Sequence, residues 1–399
     1  MGANPPIYLD GHSTTRVDPR VLEAMIPFME RAYGNASSRT HALGREAMEA
    51  VDRAREQAAG LIGASPREIL WTSGATESDN LAVLGAVRAL RSRGDGVVTC
   101  VTEHKAVLDA CAVLEREGCR VTRLPVDSCG VLDLDRLADA LDGRTVLVSI
   151  MAANNETGVL HPVGEIASIV HERSPALFHT DAAQAAGRVA LDVEAARIDL
   201  LSLSAHKIHG PKGTGALFVR RRRPTVRLEP LTHGGGQERG MRSGTLNVPG
   251  IIGMGEALAM AAECGEAESV RIRELRDQLH ERLLADLDGV HLNGHTERRL
   301  PGSLNVSFDG VDAEELLVGL PEVAVSTGAA CASASIEASH VLRSMDLPEG
   351  RARSSVRFGV GRFNTREEID RVAERVVDRV RRLRSGRGQV VGGESGGMM

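Results

Sequence analysis

The stretch Ile198-Asp199-Leu200-Leu201-Ser202-Leu203-Ser204-Ala205-His206-Lys207 decides the reading of this chain, because an apolar strand runs directly into Ser, His and Lys ahead of the turn Gly210-Pro211-Lys212-Gly213. A lysine delivered at a strand end is partly desolvated. Burial lowers the pKa of an amine and frees its lone pair to form an imine with a carbonyl compound. A strand-end surface lysine is the plain alternative, and the local sequence alone weighs the two equally. Lysine occurs only as Lys105, Lys207 and Lys212 among 48 Lys and Arg residues. Arginine cannot shed its proton to become a nucleophile, so a surviving lysine in such a context is a better imine-forming candidate than usual; a nucleotide-composition bias that spared three would give the same count. Lys212 lies between proline and glycine in a turn and Lys105 opens a helix, so both read as ordinary surface charges.

Outward from that strand, apolar runs at 68–72, 96–101, 121–125, 145–151, 177–180 and 216–219 alternate with amphipathic helical stretches from about residue 21 to about residue 265. This rhythm predicts an α/β fold with a mostly parallel central sheet covered by helices. Ligands in such folds collect at the carboxyl ends of the strands. A charged helix over 266–288, an alternating strand over 301–308 and a helix over 366–384 predict a smaller α+β domain. The expected division is a large domain over 16–261 and a small one built from 1–15 and 262–384, with a long helix able to bridge them near 250–265. The glycine-rich 385–399 is expected to be a disordered tail.

The 399 residues exceed what one core usually organises. A net charge of −6 gives no reason to expect a dedicated nucleic-acid binder. No apolar stretch reaches the ~18 residues that span a bilayer, since even 249–262 carries Glu256. The start lacks the basic and apolar regions of a secretory signal, which points to the cytoplasm. The cysteines at 100, 111, 119, 129, 264 and 331 match neither a metal knuckle nor a small disulfide framework, so no metal site is expected.

Four more segments carry chemistry. Leu177 to Gln184 is a strand delivering Asp181 and Gln184 at its end, where a carboxylate could face a cationic ring nitrogen or simply cap the next helix. Thr72 to Asn80 is a strand followed by small residues that open a helix, a phosphate cradle or an ordinary cap. Ser326 to Ser335 is a run of small residues around Cys331, which should be hydrated and leave that thiol accessible, although an inert buried cysteine is the usual alternative. Arg357 sits in the strand-like Ser354 to Phe358 and suits a two-pronged grip on a carboxylate.

Assembled, these segments resemble the cysteine desulfurases of the iron-sulfur-cluster and nitrogen-fixation type, within the class V aminotransferase group of pyridoxal-phosphate enzymes. The resemblance spans residues 7 to 384 and rests on Tyr8-Leu9-Asp10, Thr72 to Asn80, Thr102-Glu103-His104-Lys105-Ala106-Val107, Asn154-Asn155-Glu156, His206 to Gly213, Arg239 to Thr245 and the Cys331 loop. It implies the PLP-dependent transferase fold type I and the cofactor pyridoxal 5'-phosphate, held through a C=N bond by Lys207. It further implies that Asp181 pairs with the ring nitrogen, that Gln184 contacts the phenolic oxygen, and that His104 stacks on the ring and shuttles protons. Ala75, Thr76, Ser204 and His206 would bind the phosphate, and Thr245 would reach the neighbouring subunit's site, making a homodimer. Asn155 and Arg357 would hold L-cysteine, and Cys331 would take its sulfur as a persulfide for a sulfur-acceptor protein such as an iron-sulfur scaffold bridging a cluster to Cys331. A selenocysteine lyase, an aminotransferase of the same fold and a non-catalytic sulfur relay are the rival readings. Two departures stand out. Gly11 to Arg16 differs from the usual family start, with His12 where the family usually has Asn or Ser, and the tail after Arg384 lacks the hydrophobic ending with which relatives are thought to dock the cluster scaffold.

Overall fold

The computed structural model describes residues 5–222, 225–327 and 339–391, the last five of them as backbone only. Its main sheet has seven strands in the order β2-β8-β7-β6-β5-β3-β4. They are β2 (Ile69–Thr72), β3 (Gly96–Cys100), β4 (Arg120–Leu124), β5 (Thr145–Ser149), β6 (Leu177–Asp181), β7 (Leu200–Ser204) and β8 (Gly215–Val219). Only β8 runs against its neighbours, pairing antiparallel with both β2 and β7. Strands β3, β5 and β7 are buried along their whole length, which is why they read as continuous apolar runs and not as alternating ones.

A second, three-stranded antiparallel sheet has the order β12-β10-β9, from β9 (Val290–Leu292), β10 (Ser303–Phe308) and β12 (Ser355–Gly359). A two-residue pair, β1 (Ile7–Tyr8) with β11 (Val323–Ala324), lies parallel. Each sheet has its own apolar core: Trp71, Phe178 and Phe218 belong to the first, and Phe308, Phe358 and Val376 to the second. The helix Val248–Asp286 runs through both, contributing Ile251, Met254 and Leu258 to one and Leu275, Leu279 and Leu283 to the other. It is the long bridging helix expected near 250–265, and its first half is rich in small residues. Those residues are needed for close packing: a Cβ on Gly255 would collide with Ala54 of the helix Ala42–Ile62.

The last helix, Arg366–Val391, continues past residue 384 into the stretch expected to lack order. Arg381 donates to the Asp286 carbonyl at 2.7 Å, and Arg384 donates to the Asp309 and Asp288 carbonyls, each at 2.9 Å. Three such anchors hold the helix at that point, and extending a formed helix costs far less than starting one. Residues 392–399 lie outside the described residues. Among the described residues no helix is long and apolar enough to cross a membrane, and no cluster of His, Cys, Asp or Glu could hold a metal.

The N-terminal segment stitches the two sheets together. Gly11 N donates to the Gly359 carbonyl at 3.1 Å, Thr15 N to the His206 carbonyl at 2.9 Å and Asp18 N to the His209 carbonyl at 3.0 Å. Residues 11–18 therefore lie over the turn that follows β7.

One buried group gives a stability test. His161 is buried with both ring nitrogens lacking a partner, and burial, aided by the Arg298 charge, pushes its pKa down to about 4. Between about pH 6.5 and about pH 4 the unfolded chain takes a proton at this position and the folded chain does not, so this residue's contribution to stability falls as pH falls. His161→Leu should gain stability relative to the parent by about 1.4 kcal/mol per pH unit lost across that window. Parallel urea titrations of both proteins at several pH values check this. A constant difference would contradict it.

Candidate active site

The carboxyl ends of β2, β5, β6 and β7 open onto a cavity of about 460 Å³. Lys207 enters it because β7 ends in the single helical turn Ala205–Lys207, and the chain then reverses tightly, with Gly210 N donating to the Ala205 carbonyl at 2.9 Å. A Cβ at Gly210 would press on that same carbonyl. The Lys207 ammonium nitrogen Nζ donates to the His12 and Ser13 carbonyls at 2.6 and 2.7 Å. His206, beside it, contacts Thr14 Oγ1 through Nδ1 at 3.1 Å. Burial and the neighbouring Lys207 and Lys212 charges push its pKa down to about 4, so at neutral pH it is a neutral donor or acceptor.

Asp181 stands at the end of β6, buried, and one of its oxygens accepts from Ala183 N at 2.8 Å. It caps a turn, not the helix one sequence reading expected, and it lines the cavity. Burial raises its pKa, while His104 and Lys207 pull it down. A cation in the cavity would favour its ionised form. Behind it, Asp79 is buried with neither carboxylate oxygen partnered, and burial, with Asp181 and Glu103 as neighbours, holds its pKa well above the carboxylate range. That shift favours the protonated form of Asp79, whose Oδ1 lies 3.7 Å from His179 Nε2.

His104 caps the helix Lys105–Arg116, its Nδ1 accepting from Ala106 N at 3.1 Å. The neutral ring therefore carries its proton on Nε2. Across the cavity, Gly74 caps the helix Ala75–Asn80 without a side-chain hydrogen bond, at a φ of 153° that suits glycine. Gly215 of β8 backs onto it, and a Cβ there would run into the Gly74 Cα. The first-turn N–H groups of Ala75 and Thr76 thus meet the cavity with no side chain over them, the arrangement that favours an anion.

Arg357, buried on β12, donates through Nη1 to the Asn155 carbonyl at 2.8 Å, and through Nη2 to Asp10 Oδ1 at 2.9 Å and Ser13 Oγ at 2.6 Å. Its Nε is buried without a partner. Tyr8 Oη donates to the Thr14 carbonyl at 2.8 Å, bracing the same loop.

One cavity thus gathers Ala75, Thr76, His104, Asn155, Asp181, Gln184, Ser204, His206, Lys207 and Arg357, all singled out from sequence. Lys212, read there as an ordinary surface charge, is exposed but also lines the cavity. Thr245 does not line it; that residue is exposed on a loop tied to the Ala75–Asn80 helix by an Arg242–Glu77 pair at 2.8 Å. Cys331 lies outside the described residues. On either side, Arg357 N donates to the Ser326 carbonyl at 2.7 Å, and Ser339 Oγ donates to Glu156 Oε2 at 2.5 Å; Arg357 lines the cavity and Glu156 follows the lining residue Asn155. Of the other cysteines, Cys100 and Cys111 are buried, and burial pushes both thiols up to about 12.

Sequence reasoning gave no role to Asp10, His12, Ser13 or Arg188. The Tyr8-Leu9-Asp10 motif was visible, but nothing local pairs position 10 with position 357.

The Aminotransferase class-V family matches residues 7–372. The chain is 56% identical over 379 residues to the cysteine desulfurase IscS of Anaeromyxobacter sp. (strain Fw109-5), covering 95% of this chain and 93% of that one. It is 51% identical to the cysteine desulfurase of Mus musculus, over 95% of this chain and 82% of that one. Among solved structures, a NifS-like protein superposes with a TM-score of 0.87 at 39% identity, over 94% of this chain and 98% of the other.

Proposed function

The chain belongs to the aminotransferase class-V family and is a cysteine desulfurase of the iron-sulfur-cluster type, and from that premise we propose that its cavity binds pyridoxal 5'-phosphate at Lys207 and that Cys331 receives the sulfur of L-cysteine. The architecture is that of the PLP-dependent fold type I. The observation that carries the site assignment is the convergence of an amine, a buried carboxylate, an uncapped helix start and a buried guanidinium on one cavity.

The donor set fits the group. The N–H groups of Ala75 and Thr76, with Ser204 and His206, suit its phosphate. The buried carboxylate of Asp181 suits a protonated ring nitrogen, Gln184 suits the phenolic oxygen, and Lys207 is the amine within the cavity. When bound, the cofactor supplies an aldehyde that condenses with amines and an electron-poor ring that makes a Cα proton acidic.

The chain's own residues do the rest. Arg357, with Asn155, holds the α-carboxylate of the substrate and fixes which of its bonds faces the ring. His104 holds a proton at Nε2 and is placed by its own helix cap to exchange it with the substrate. The Cys331 thiolate attacks the substrate sulfur, forming an S–S bond as the C–S bond breaks. The electron pair of that bond stays with the substrate carbon, which takes up protons and leaves as alanine, while Cys331 carries the persulfide. Thr245, exposed on its loop, reaches the phosphate of a second subunit's site, so the working unit is a homodimer in the cytoplasm. A sulfur-acceptor protein, such as an iron-sulfur scaffold, removes the persulfide sulfur.

Product analysis tests the reaction. Incubation with cysteine should yield alanine in equal amount to the sulfur mobilised. 3-Mercaptopyruvate in its place would identify an aminotransferase and pyruvate an enzyme that eliminates the thiol, and either would reject the proposal.

A further inference from the structure

Gln184 is held on three sides. Its Oε1 accepts from Arg188 Nη1 at 2.7 Å and lies 3.1 Å from His12 Nδ1, while its Nε2 donates to the His12 carbonyl at 2.9 Å. A guanidinium only donates and a carbonyl only accepts, so the orientation of this amide is unambiguous. Arg188 Nη1 directs its hydrogens at Gln184 Oε1 and, at 3.3 Å, at the Gln184 carbonyl. His12 Nδ1 sits 3.2 Å from the same guanidinium nitrogen and 3.1 Å from Gln184 Oε1, so the ring braces both the amide and the cation that holds it. Of the two hydrogens on Gln184 Nε2, one goes to His12 and the other is left for the cavity.

Arg188 also joins the backbone segments that meet here. Its Nη2 donates to the Lys207 carbonyl at 2.8 Å and to the Gly11 carbonyl at 3.4 Å. One half-buried cation therefore ties the lysine-bearing turn, the N-terminal loop and the Gln184 amide together. His12 is 3% exposed and its Nε2 has no partner. Burial, with the Arg188, Arg357 and Lys207 charges, keeps this ring neutral. An imidazole that leaves one nitrogen orphaned is a costly way to fill space. Its Nδ1, set between Gln184 Oε1 and Arg188 Nη1, is what the ring contributes.

We propose that Arg188 and His12 form a clamp that fixes Gln184 with its free N–H toward the cofactor's phenolic oxygen, and so lowers the pH at which the visible band of the loaded protein titrates. The clamp rests on the reading that the cavity binds pyridoxal phosphate, and both residues are positioning residues. A donor at that oxygen and a cation behind it stabilise the more negative, deprotonated chromophore, so losing either raises the titration midpoint. The other ionisable groups facing the site, Glu77, His104, Asp181, His206, Lys212 and Arg357 in the cavity and His209, Glu268 and Arg362 behind Arg188, stay the same in every variant below.

The test is a spectrophotometric pH titration of the loaded parent, His12→Leu and Arg188→Met, with cofactor affinity measured alongside. His12→Leu removes one neutral hydrogen bond and should raise the midpoint by about 0.5–1 pH unit. Arg188→Met should raise it by about 1–2 units and weaken cofactor binding about tenfold. A general loosening of the fold would lower occupancy without moving the midpoint of the molecules that remain loaded. Should Arg188→Met not fold, His12→Leu decides alone. A parent that forms a visible band whose midpoint is unmoved in His12→Leu overturns the clamp and leaves the cofactor assignment standing. A parent that forms no band overturns both.

Discussion

Lys207→Ala is expected to lose the visible band that the parent protein acquires with pyridoxal phosphate, and with it at least about a thousandfold of its cysteine turnover. The reason is geometric. The fold delivers the Lys207 amine to the cavity through a buried strand and a single helical turn, with Nζ fixed between the His12 and Ser13 carbonyls. Lys212 also lines the cavity, but it is exposed and follows Pro211 in a turn, with no such support. Folding should survive the change, because those two carbonyls lie on a loop independently anchored by the Thr15–His206 and Asp18–His209 backbone bonds. Absorbance spectroscopy and a sulfide-release assay read both effects. A variant that keeps the band, or that turns over at even a tenth of the parent rate, would mean that another amine serves.

Cys331→Ala has the second largest expected effect, and it separates the two halves of the reaction. The thiol acts after the substrate is bound, so the variant should keep the visible band and cysteine binding unchanged while sulfide release falls by about a hundredfold or more. The assignment rests on the family resemblance, and the described cysteines offer no rival thiol at the cavity. Cys100 and Cys111 are buried with thiols pushed up to about 12, and Cys119 is buried with its thiol also raised by burial. Cys129 and Cys264 are exposed but are not among the residues lining the cavity. Ser326 and Ser339, on either side of the Cys331 segment, are hydrogen-bonded to Arg357, which lines the cavity, and to Glu156, next in sequence to the lining residue Asn155. Full sulfide release by Cys331→Ala would show that the sulfur leaves by another route.

How much of this was legible in the sequence differs from residue to residue for physical reasons. β3, β5 and β7 could be read directly, because a strand covered on both faces is apolar throughout and its end is marked by the first polar residues. Lys207 and Asp181 followed from those ends. The helix Val248–Asp286 is legible as a bridge near 250–265 but not in its bounds, because Gly250, Gly253 and Gly255 serve close helix packing and blur its first half. The final helix runs to Val391, beyond the 366–384 stretch of helical spacing and into glycine-rich sequence without periodicity. Arg357 had no local mark and needed the family resemblance. Asp10, His12 and Arg188 had roles that only three-dimensional contact assigns, since, apart from Ser13 beside Asp10 and Gln184 one helical turn from Arg188, their partners lie between 19 and 347 positions away.

The most direct test of the central claim is to reduce the cofactor-loaded parent protein with borohydride, digest it and locate the label by mass spectrometry. The account predicts a pyridoxyl group on the peptide that carries Lys207 and on no other. A label on Lys105 or Lys212, or no stable label at all, would contradict it.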